Sequence, residues 1–280
     1  MDVREIRIVA ITAMAADDEL MPLLVLKGGN ALEIVHQIGG RASLDLDYSI
    51  EADLTNADEI ATRIEKALAG RFRTHGLVVF DFKFVPRPTN QPEGARWGGY
   101  RVEFKLVDAA TYDSTASDLD RLRRLATPIS SGQQRTFTIE ISKHEYVAAR
   151  TMTRVDGFDL YVYTPAMIAT EKLRAICQQL PDQRKNPTSR PRDFYDIACT
   201  LDSGVSPGDC GELLRPIFDA KDVPLKLLRE VPRSREFHEA DWASVRNAVG
   251  REINGFGFYF QKVLNFIDAL KPWWEEDAPG

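Results

Sequence analysis

Cysteine is scarce in this chain, and the three present, Cys177, Cys199 and Cys210, are odd in number and share no metal-ligand spacing. That set suits neither a disulfide-stapled scaffold nor a structural zinc site, and reduced thiols in a cytosol are the simplest reading. Histidine is sparse as well. His36, His75, His144 and His238 are scattered, which argues against a zinc hydrolase of the HExxH kind. No apolar run approaches the roughly 20 residues that a membrane span needs. The opening MDVREIRIVA carries acidic residues and lacks a signal-peptide core and cleavage site, so a cytoplasmic location with no membrane partner is expected. Excess positive charge is missing too. A net charge of −6 disfavours a surface coated for non-specific nucleic-acid binding, while a local basic patch could still hold an RNA end or a triphosphate. Internal repeats and low-complexity tracts are absent.

What is present is ordinary globular material, 44% hydrophobic and 28% charged, and 280 residues suffice for one large or two modest domains with a sizeable core. The informative stretch is Leu26 to Tyr48, LKGGNALEIVHQIGGRASLDLDY. It reads as a short strand into Lys27-Gly28-Gly29, a helix from about Asn30 to Gln37, a glycine turn at Gly39-Gly40, and a strand carrying Ser43, Asp45 and Asp47. Strand side chains alternate, so Ser43, Asp45 and Asp47 share one face while Leu44, Leu46 and Tyr48 share the other. Two strand residues of rise put the carboxylates roughly 6 to 7 Å apart, close enough for both to ligate one Mg²⁺ or a pair. Upstream, two glycines leave amides bare at a helix start, where N–H groups and the helix dipole favour phosphate. Taken singly, Asp-x-Asp is most often a solvated strand edge, and Gly-Gly a cap or tight turn. Their order and spacing raise the joint reading: a phosphate cradle facing a metal-binding carboxylate pair.

Residues 1–20 read as an amphipathic helix. Thr55 and Asp58 look like a capping box for a helix ending at Gly70. HGLVVFDFKFVP places Phe80, Phe82 and Phe84 on one strand face, and VPRPTNQPEGARWGG is a loop. YRVEFKLVD repeats the alternation with Val102, Phe104 and Leu106 inward; a charged helix over 116–129 and strands RTFTIEIS and FDLYVYTP follow. From Thr164 the pattern turns helical. Thr164-Pro165 supplies a cap and an N1 proline, and Ala166, Ala169, Leu173, Ile176, Cys177 and Leu180 form an apolar stripe. Lys172 borders that stripe, where a lysine either snorkels to water or aims its charge at a triphosphate. The loop with Arg184, Lys185, Arg190 and Arg192 is basic, fitting a solvated loop or a nucleic-acid contact. Asp193 suits an N-cap of the next helix, with Asp196 on the same side. The later aromatics, Trp242, Phe256 to Phe260 and Trp273-Trp274, read as core packing rather than a base-stacking platform, and Glu275-Glu276-Asp277 as a frayed end.

Two blocks resemble the AbiEii/AbiGii toxin family of nucleotidyltransferases, a branch of the DNA polymerase β superfamily. The first is Lys27-Gly28-Gly29-Asn30-Ala31-Leu32 with Arg41-Ala42-Ser43-Leu44-Asp45-Leu46-Asp47; the second is Glu171-Lys172-Leu173 followed by Arg192-Asp193-Phe194-Tyr195-Asp196. Together they bracket about 60% of the chain. The resemblance implies an α/β (α+β) fold, a nucleotidyltransferase-type mixed sheet with flanking helices over 1–160, and a helical domain over 161–280 completing the active-site cleft. It implies Mg²⁺-dependent transfer of a nucleoside monophosphate from an NTP to an acceptor hydroxyl, with release of pyrophosphate. Asp45, Asp47, Lys172 and Asp193 would be catalytic. Asp45 and Asp47 would hold one or two metal ions, with Glu103 as a candidate third carboxylate from a neighbouring strand or else a solvent-facing residue between two cations. Lys27, Gly28, Gly29 and Ser43 would contact the nucleotide, and Arg41 and Arg192 would be phosphate ligands or structural partners of the carboxylates.

The resemblance further implies a toxin of a toxin–antitoxin or phage-defence system, a cognate antitoxin encoded nearby, and an RNA acceptor, with the 3′ end of tRNA as one such acceptor. Two other readings stay open from the residues alone: the same chemistry on a small acceptor, as in antibiotic nucleotidyltransferases, and a non-catalytic nucleotide- or partner-binding module.

Overall fold

A computed structural model of the chain describes residues 1–41, 43, 45–90, 97–129 and 134–275. Leu44, much of the expected loop before Trp97, and the Glu276-Asp277 end lie outside the described residues. By its contacts the chain divides into two compact units, one made of 1–30, 44–147 and 151–162, the other of 31–43, 148–150 and 163–280.

The first unit is built on a mixed sheet of strands β1 (Val25–Lys27), β2 (Leu46–Ser49), β3 (Leu77–Arg87), β4 (Gly99–Asp108), β5 (Phe137–Ser142), β6 (Thr151–Val155) and β7 (Phe158–Val162), ordered β3-β4-β5-β2-β1-β7-β6. Its helices are α1 (Val3–Ala15), α2 (Leu20–Leu23), α3 (Gly28–Asn30), α4 (Ala57–Arg73), α5 (Ala109–Thr115) and α6 (Leu119–Leu125). Helix α1 starts on a capping box in which Asp2 accepts from the Glu5 amide at 2.8 Å and Glu5 accepts from the Asp2 amide at 2.7 Å. Helix α4 buries Ile64, Leu68 and Phe72, each worth about 1.5 to 3 kcal/mol of removed apolar surface. Phe72 meets Phe104 of β4 at 5.9 Å between centroids, and Phe104 stacks on Phe137 of β5 at 5.4 Å. That contact fixes the sheet's faces. Val102, Phe104, Leu106, Leu46 and Tyr48 are buried as the alternation predicts, so residues one position out of phase lie on the opposite face.

Several expectations need correction. Strand β2 begins at Leu46, so Asp47 is on the strand while Ser43 and Asp45 precede it. The Asp45 carbonyl explains the late start, because it accepts from the Asn30 side chain at 2.6 Å. In β3 the register slips between Phe80 and Lys83, with Asp81 at φ 53°. One extra residue flips the alternation. Phe80 therefore packs with Val78, Val107 and Leu122, while Phe84 stacks on Tyr100 at 5.0 Å between centroids. Helix α4 is capped by Asn56, not Thr55, and runs through Gly70 to Arg73. The charged helix expected over 116–129 is α6, shorter and N-capped by Asp118, and it is preceded by α5, which was not expected and is N-capped by Asp108.

The second unit opens with a π-helical turn (Ala31–Val35), then collects α7 (Pro165–Gln178), α8 (Pro191–Asp202), α9 (Pro207–Asp219), α10 (Arg235–Glu239), α11 (Trp242–Val249), α12 (Phe256–Ala269) and α13 (Lys271–Trp274). Thr164 caps α7 by accepting from the Met167 amide at 3.2 Å, with Pro165 at its first position. The stripe on α7 packs with Phe194, Phe218, Trp242, Phe256 and Phe260 in one apolar core. Trp242 and most of the Phe256–Phe260 run are buried there, whereas Phe258 and Trp273 are exposed. Among the described residues, no helix is long and apolar enough to cross a membrane.

Candidate active site

In the first unit the site is built where β1 turns into α3. Gly28 has φ +69°, a left-handed backbone that glycine takes without steric cost. A Cβ built on Gly28 would lie 2.6 Å from Oδ2 of Asp47, so the carboxylate rests on bare backbone. Gly29 and Asn30 are buried beside it. Asn30 works in both directions, donating Nδ2 to the Asp45 carbonyl and accepting at Oδ1 from Arg7 Nη1 at 2.7 Å. Helix α1 thereby holds the Asp45 backbone through one buried amide. The Asp45 side chain is exposed and that of Asp47 half-buried.

The ladder sets the remaining neighbours. Lys27 pairs with Asp47, Asp47 with Glu140, and Glu140 with Arg101, so these four side chains form a row on the sheet face away from α4. Lys27 Nζ bonds buried Glu145 at 3.1 Å. Glu140 takes the Arg101 guanidinium at 2.7 Å and 2.6 Å. Glu103 lies on β4, opposite Thr138, with its carboxylate 3.9 Å from Arg101. Glu140 is thus one strand from Asp47, and Glu103 is two. Sequence reasoning passed over Glu140 because it sits within an ordinary alternating strand; strand order alone brings it beside Asp47. Among the described residues, no three carboxylate, histidine or cysteine side chains converge as a metal cage. Mg²⁺ does not require one, since it is commonly held by one or two carboxylates together with substrate phosphates and waters. The Asp47 carboxylate, a hard oxygen donor against bare Gly28 backbone that a Cβ would fill, with Asp45 two residues before it in the chain, fits such an ion.

Substituting Gly28 with alanine is expected to lower stability by roughly 1 to 2 kcal/mol from the left-handed backbone alone. Activity should fall much further, because the new methyl displaces the Asp47 carboxylate. Urea denaturation alongside turnover separates the two effects.

In the second unit the predicted residues enter a buried charge network. Lys172 Nζ lies 2.8 Å from both Asp193 Oδ1 and Asp196 Oδ2. Asp196 receives Arg41 on both oxygens, at 2.9 Å and 2.7 Å, a bidentate pair. Asp193 receives Arg190 Nε at 2.5 Å. Side-chain exposure is 7% for Lys172 and Arg41, 6% for Asp193 and 4% for Asp196. Lys172 therefore neither snorkels nor stands unpaired. Burial opposes its charge, but the facing carboxylates of Asp193 and Asp196 outweigh burial and hold the ammonium above its ordinary value. For Asp193 burial is likewise overcome, by Arg190 and Lys172, and for Asp196 by Lys172 and Arg41, so both carboxyls sit below their ordinary range. Arg190, rather than Asp193, is the N-cap of α8; Arg192 is exposed in its first turn. Ser43 is half-buried.

Behind Asp193, the buried His238 accepts the Arg190 amide at Nδ1 (3.0 Å), and its Nε2 has no hydrogen-bond partner among the described residues. Burial pulls this imidazole down to about 4. The unfolded chain takes up that proton near pH 6.5, so stability is expected to fall as pH drops from about 6.5 toward 4. The gap is worth roughly 3 kcal/mol. Urea midpoints across that window should slope less steeply for His238→Gln, which keeps an acceptor but cannot titrate, than for the wild type; burial lowers His36 too and leaves a residual slope.

A mixed sheet presenting a glycine turn beneath an aspartate pair is a nucleotidyltransferase-type frame. Residues 10–262 match the family described as "Nucleotidyl transferase AbiEii toxin, Type IV TA system", and the chain belongs to that family. No curated protein matches the chain. Among solved structures it is similar to a candidate nucleotidyltransferase from H. pylori, at 12% identity and a TM-score of 0.48 over 99% of this chain and 97% of that one. JHP933 from Helicobacter pylori gives 13%, 0.47, 97% and 91%. An antigenic nucleotidyltransferase-like protein from Paracoccidioides brasiliensis gives 16%, 0.42, 79% and 93%.

Proposed function

We propose that this nucleotidyltransferase moves a nucleoside monophosphate from an Mg²⁺-bound NTP to an acceptor hydroxyl on RNA, releasing pyrophosphate, as a toxin controlled by a cognate antitoxin encoded beside it. The observation that carries the reading is the Asp47 carboxylate resting on the bare backbone of Gly28, with Asp45 held two residues away by Asn30. Asp45 and Asp47 would hold the cation, which supplies charge neutralisation and alignment of the phosphates when bound. The amides of Gly28 and Gly29 offer donors to phosphate oxygens, and Ser43 a hydroxyl nearby in the chain. Glu140, anchored by Arg101, is a better placed third carboxylate than Glu103. Lys27, tied to Glu145, balances charge beside Asp47.

We take residues 1–160 as the catalytic domain and 161–280 as the helical domain. The saturated pairing of Lys172 supports a positioning role. With Asp193 and Asp196 it fixes Arg41, four residues ahead of Asp45 in the chain. Exposed Arg184, Lys185 and Arg192 are available to an RNA backbone; the 3′ end of tRNA is the acceptor to test first.

Purified protein incubated with Mg²⁺, each α-labelled NTP and total tRNA should yield labelled RNA. Label on an aminoglycoside instead would move the assignment to a small acceptor. Absence of both label transfer and pyrophosphate release with all four NTPs would end the reading.

A further inference from the structure

Away from the carboxylate pair, the helical unit carries an open cavity of about 520 Å³. Its walls include Tyr195 and Cys199 of α8, Arg251 and Asn254 of the link between α11 and α12, and Phe258 and Tyr259 of α12. Nothing in the charge network uses it. The size is that of a small-ligand site, and the lining combines a flat aromatic surface with donors and acceptors at its rim. Phe258 is 52% exposed, so its ring is open to a ligand in the cavity. Tyr259 meets it edge-on at 5.2 Å between centroids, and Lys262 Nζ stands 5.9 Å from the Phe258 ring centre. The Arg251 guanidinium stands beside the Tyr195 phenol, whose hydroxyl donates to the Gly39 carbonyl at 2.8 Å.

The lining narrows the occupant. Asp202 and Glu252 also line the cavity, against Arg251, and Lys262 beside the Phe258 ring pairs with Asp202. The charges balance, so the cavity offers no surplus of positive charge to a polyphosphate, whereas a neutral planar ring with polar edges would find a stacking surface, a guanidinium and an amide. We propose that this cavity binds a nucleobase, stacked on Phe258 and hydrogen-bonded by Arg251 and Asn254. Its floor, through Tyr195, holds the Gly39-Gly40 turn that leads to Arg41. A Cβ on Gly39 would lie 3.7 Å from Cys199 and 3.8 Å from the Tyr195 ring, so turn and cavity wall are in contact. The chemistry of the ligand follows from the cavity; its source, the incoming NTP or the acceptor RNA, rests on the nucleotidyl-transfer reading.

The test uses adenosine, guanosine, cytidine and uridine, one at a time, by calorimetry or saturation-transfer NMR on the full chain in EDTA. Without phosphate or metal, the carboxylate pair plays no part. At least one nucleoside should bind, and Phe258→Ala or Arg251→Ala should weaken it about tenfold. Both side chains are exposed, so circular dichroism and urea midpoints should match the wild type. Binding by none of the four, or equal binding by wild type and Phe258→Ala, overturns the proposal. Asp45→Ala should keep nucleoside binding. Should Phe258-dependent binding occur in a protein that transfers nothing, the cavity stands and the transfer reading falls. In active protein, a raised KM of Phe258→Ala for NTP assigns the base to the donor, and a raised KM for RNA assigns it to the acceptor.

Discussion

Asp45→Ala is expected to lose at least about a thousandfold in nucleotidyl transfer. In the proposed role of Asp45 as a metal ligand, its removal forfeits several kcal/mol of charge stabilisation, and about 1.4 kcal/mol is tenfold in rate. Stability should stay within about 0.5 kcal/mol of wild type, because the Asp45 side chain is exposed and its fixed group, the backbone carbonyl bonded to Asn30, survives the substitution. The pair of results is the useful one. A folded, inactive protein that no longer arrests growth on induction assigns the chemistry to the carboxylate, whereas wild-type turnover in this variant removes Asp45 from the site.

The second large effect falls on stability. Lys172→Met leaves Asp193 with Arg190 and Asp196 with Arg41, each carboxylate buried and short of one partner. Breaking a buried ion pair costs about 3 to 5 kcal/mol, and the remaining guanidiniums place this case toward the lower figure. Combining Lys172→Met with Asp196→Asn should cost less than the sum of the two single changes, because the pair is lost only once. Additive costs would show that the network is not coupled. Acidity acts on the same groups in a known direction. Both carboxyls are depressed in the fold, so their contribution is present above the unfolded value of about 3.9 and is lost as pH falls through and below it. The Lys172 ammonium is raised, so its contribution is present at neutral pH and lost only in strong alkali.

Much of this was legible wherever one local rule decides. Alternation located β4, β5 and β7, and the Thr164-Pro165 cap with its stripe located α7, since each depends on side chains close in sequence. The bulge at Asp81 was not, because one inserted residue leaves the composition unchanged while reversing every later side chain. Strand β6, TMTRV, was missed as well; it is a sheet edge with exposure on both faces and shows no apolar period. Within the candidate site, the turn at Gly28 and the strand position of Asp47 could be read from the sequence, whereas the place of Asp45 ahead of the strand could not. Nor could their supports. Arg7 reaches Asn30 across 23 positions, Lys27 reaches Glu145 across 118, and Arg41 reaches Asp196 across 155. No periodicity encodes such distances. Lys172 is the instructive case, since a lysine beside an apolar stripe ordinarily reaches water, and only the two aspartates of the next helix keep it inside.

The charged row on the sheet bears on the order in which ligands arrive. Its two cations are already engaged, Lys27 by Glu145 and Arg101 by Glu140, so the negative charge that Asp45 and Asp47 add disfavours the approach of a polyanion before any ion has neutralised it. A nucleotide already chelated by its cation brings that neutralisation with it, whereas uncomplexed nucleotide has to approach against the field. For the proposed transfer, entry as the preformed chelate, rather than sequential loading of ion and nucleotide, is the route this distribution of charge favours.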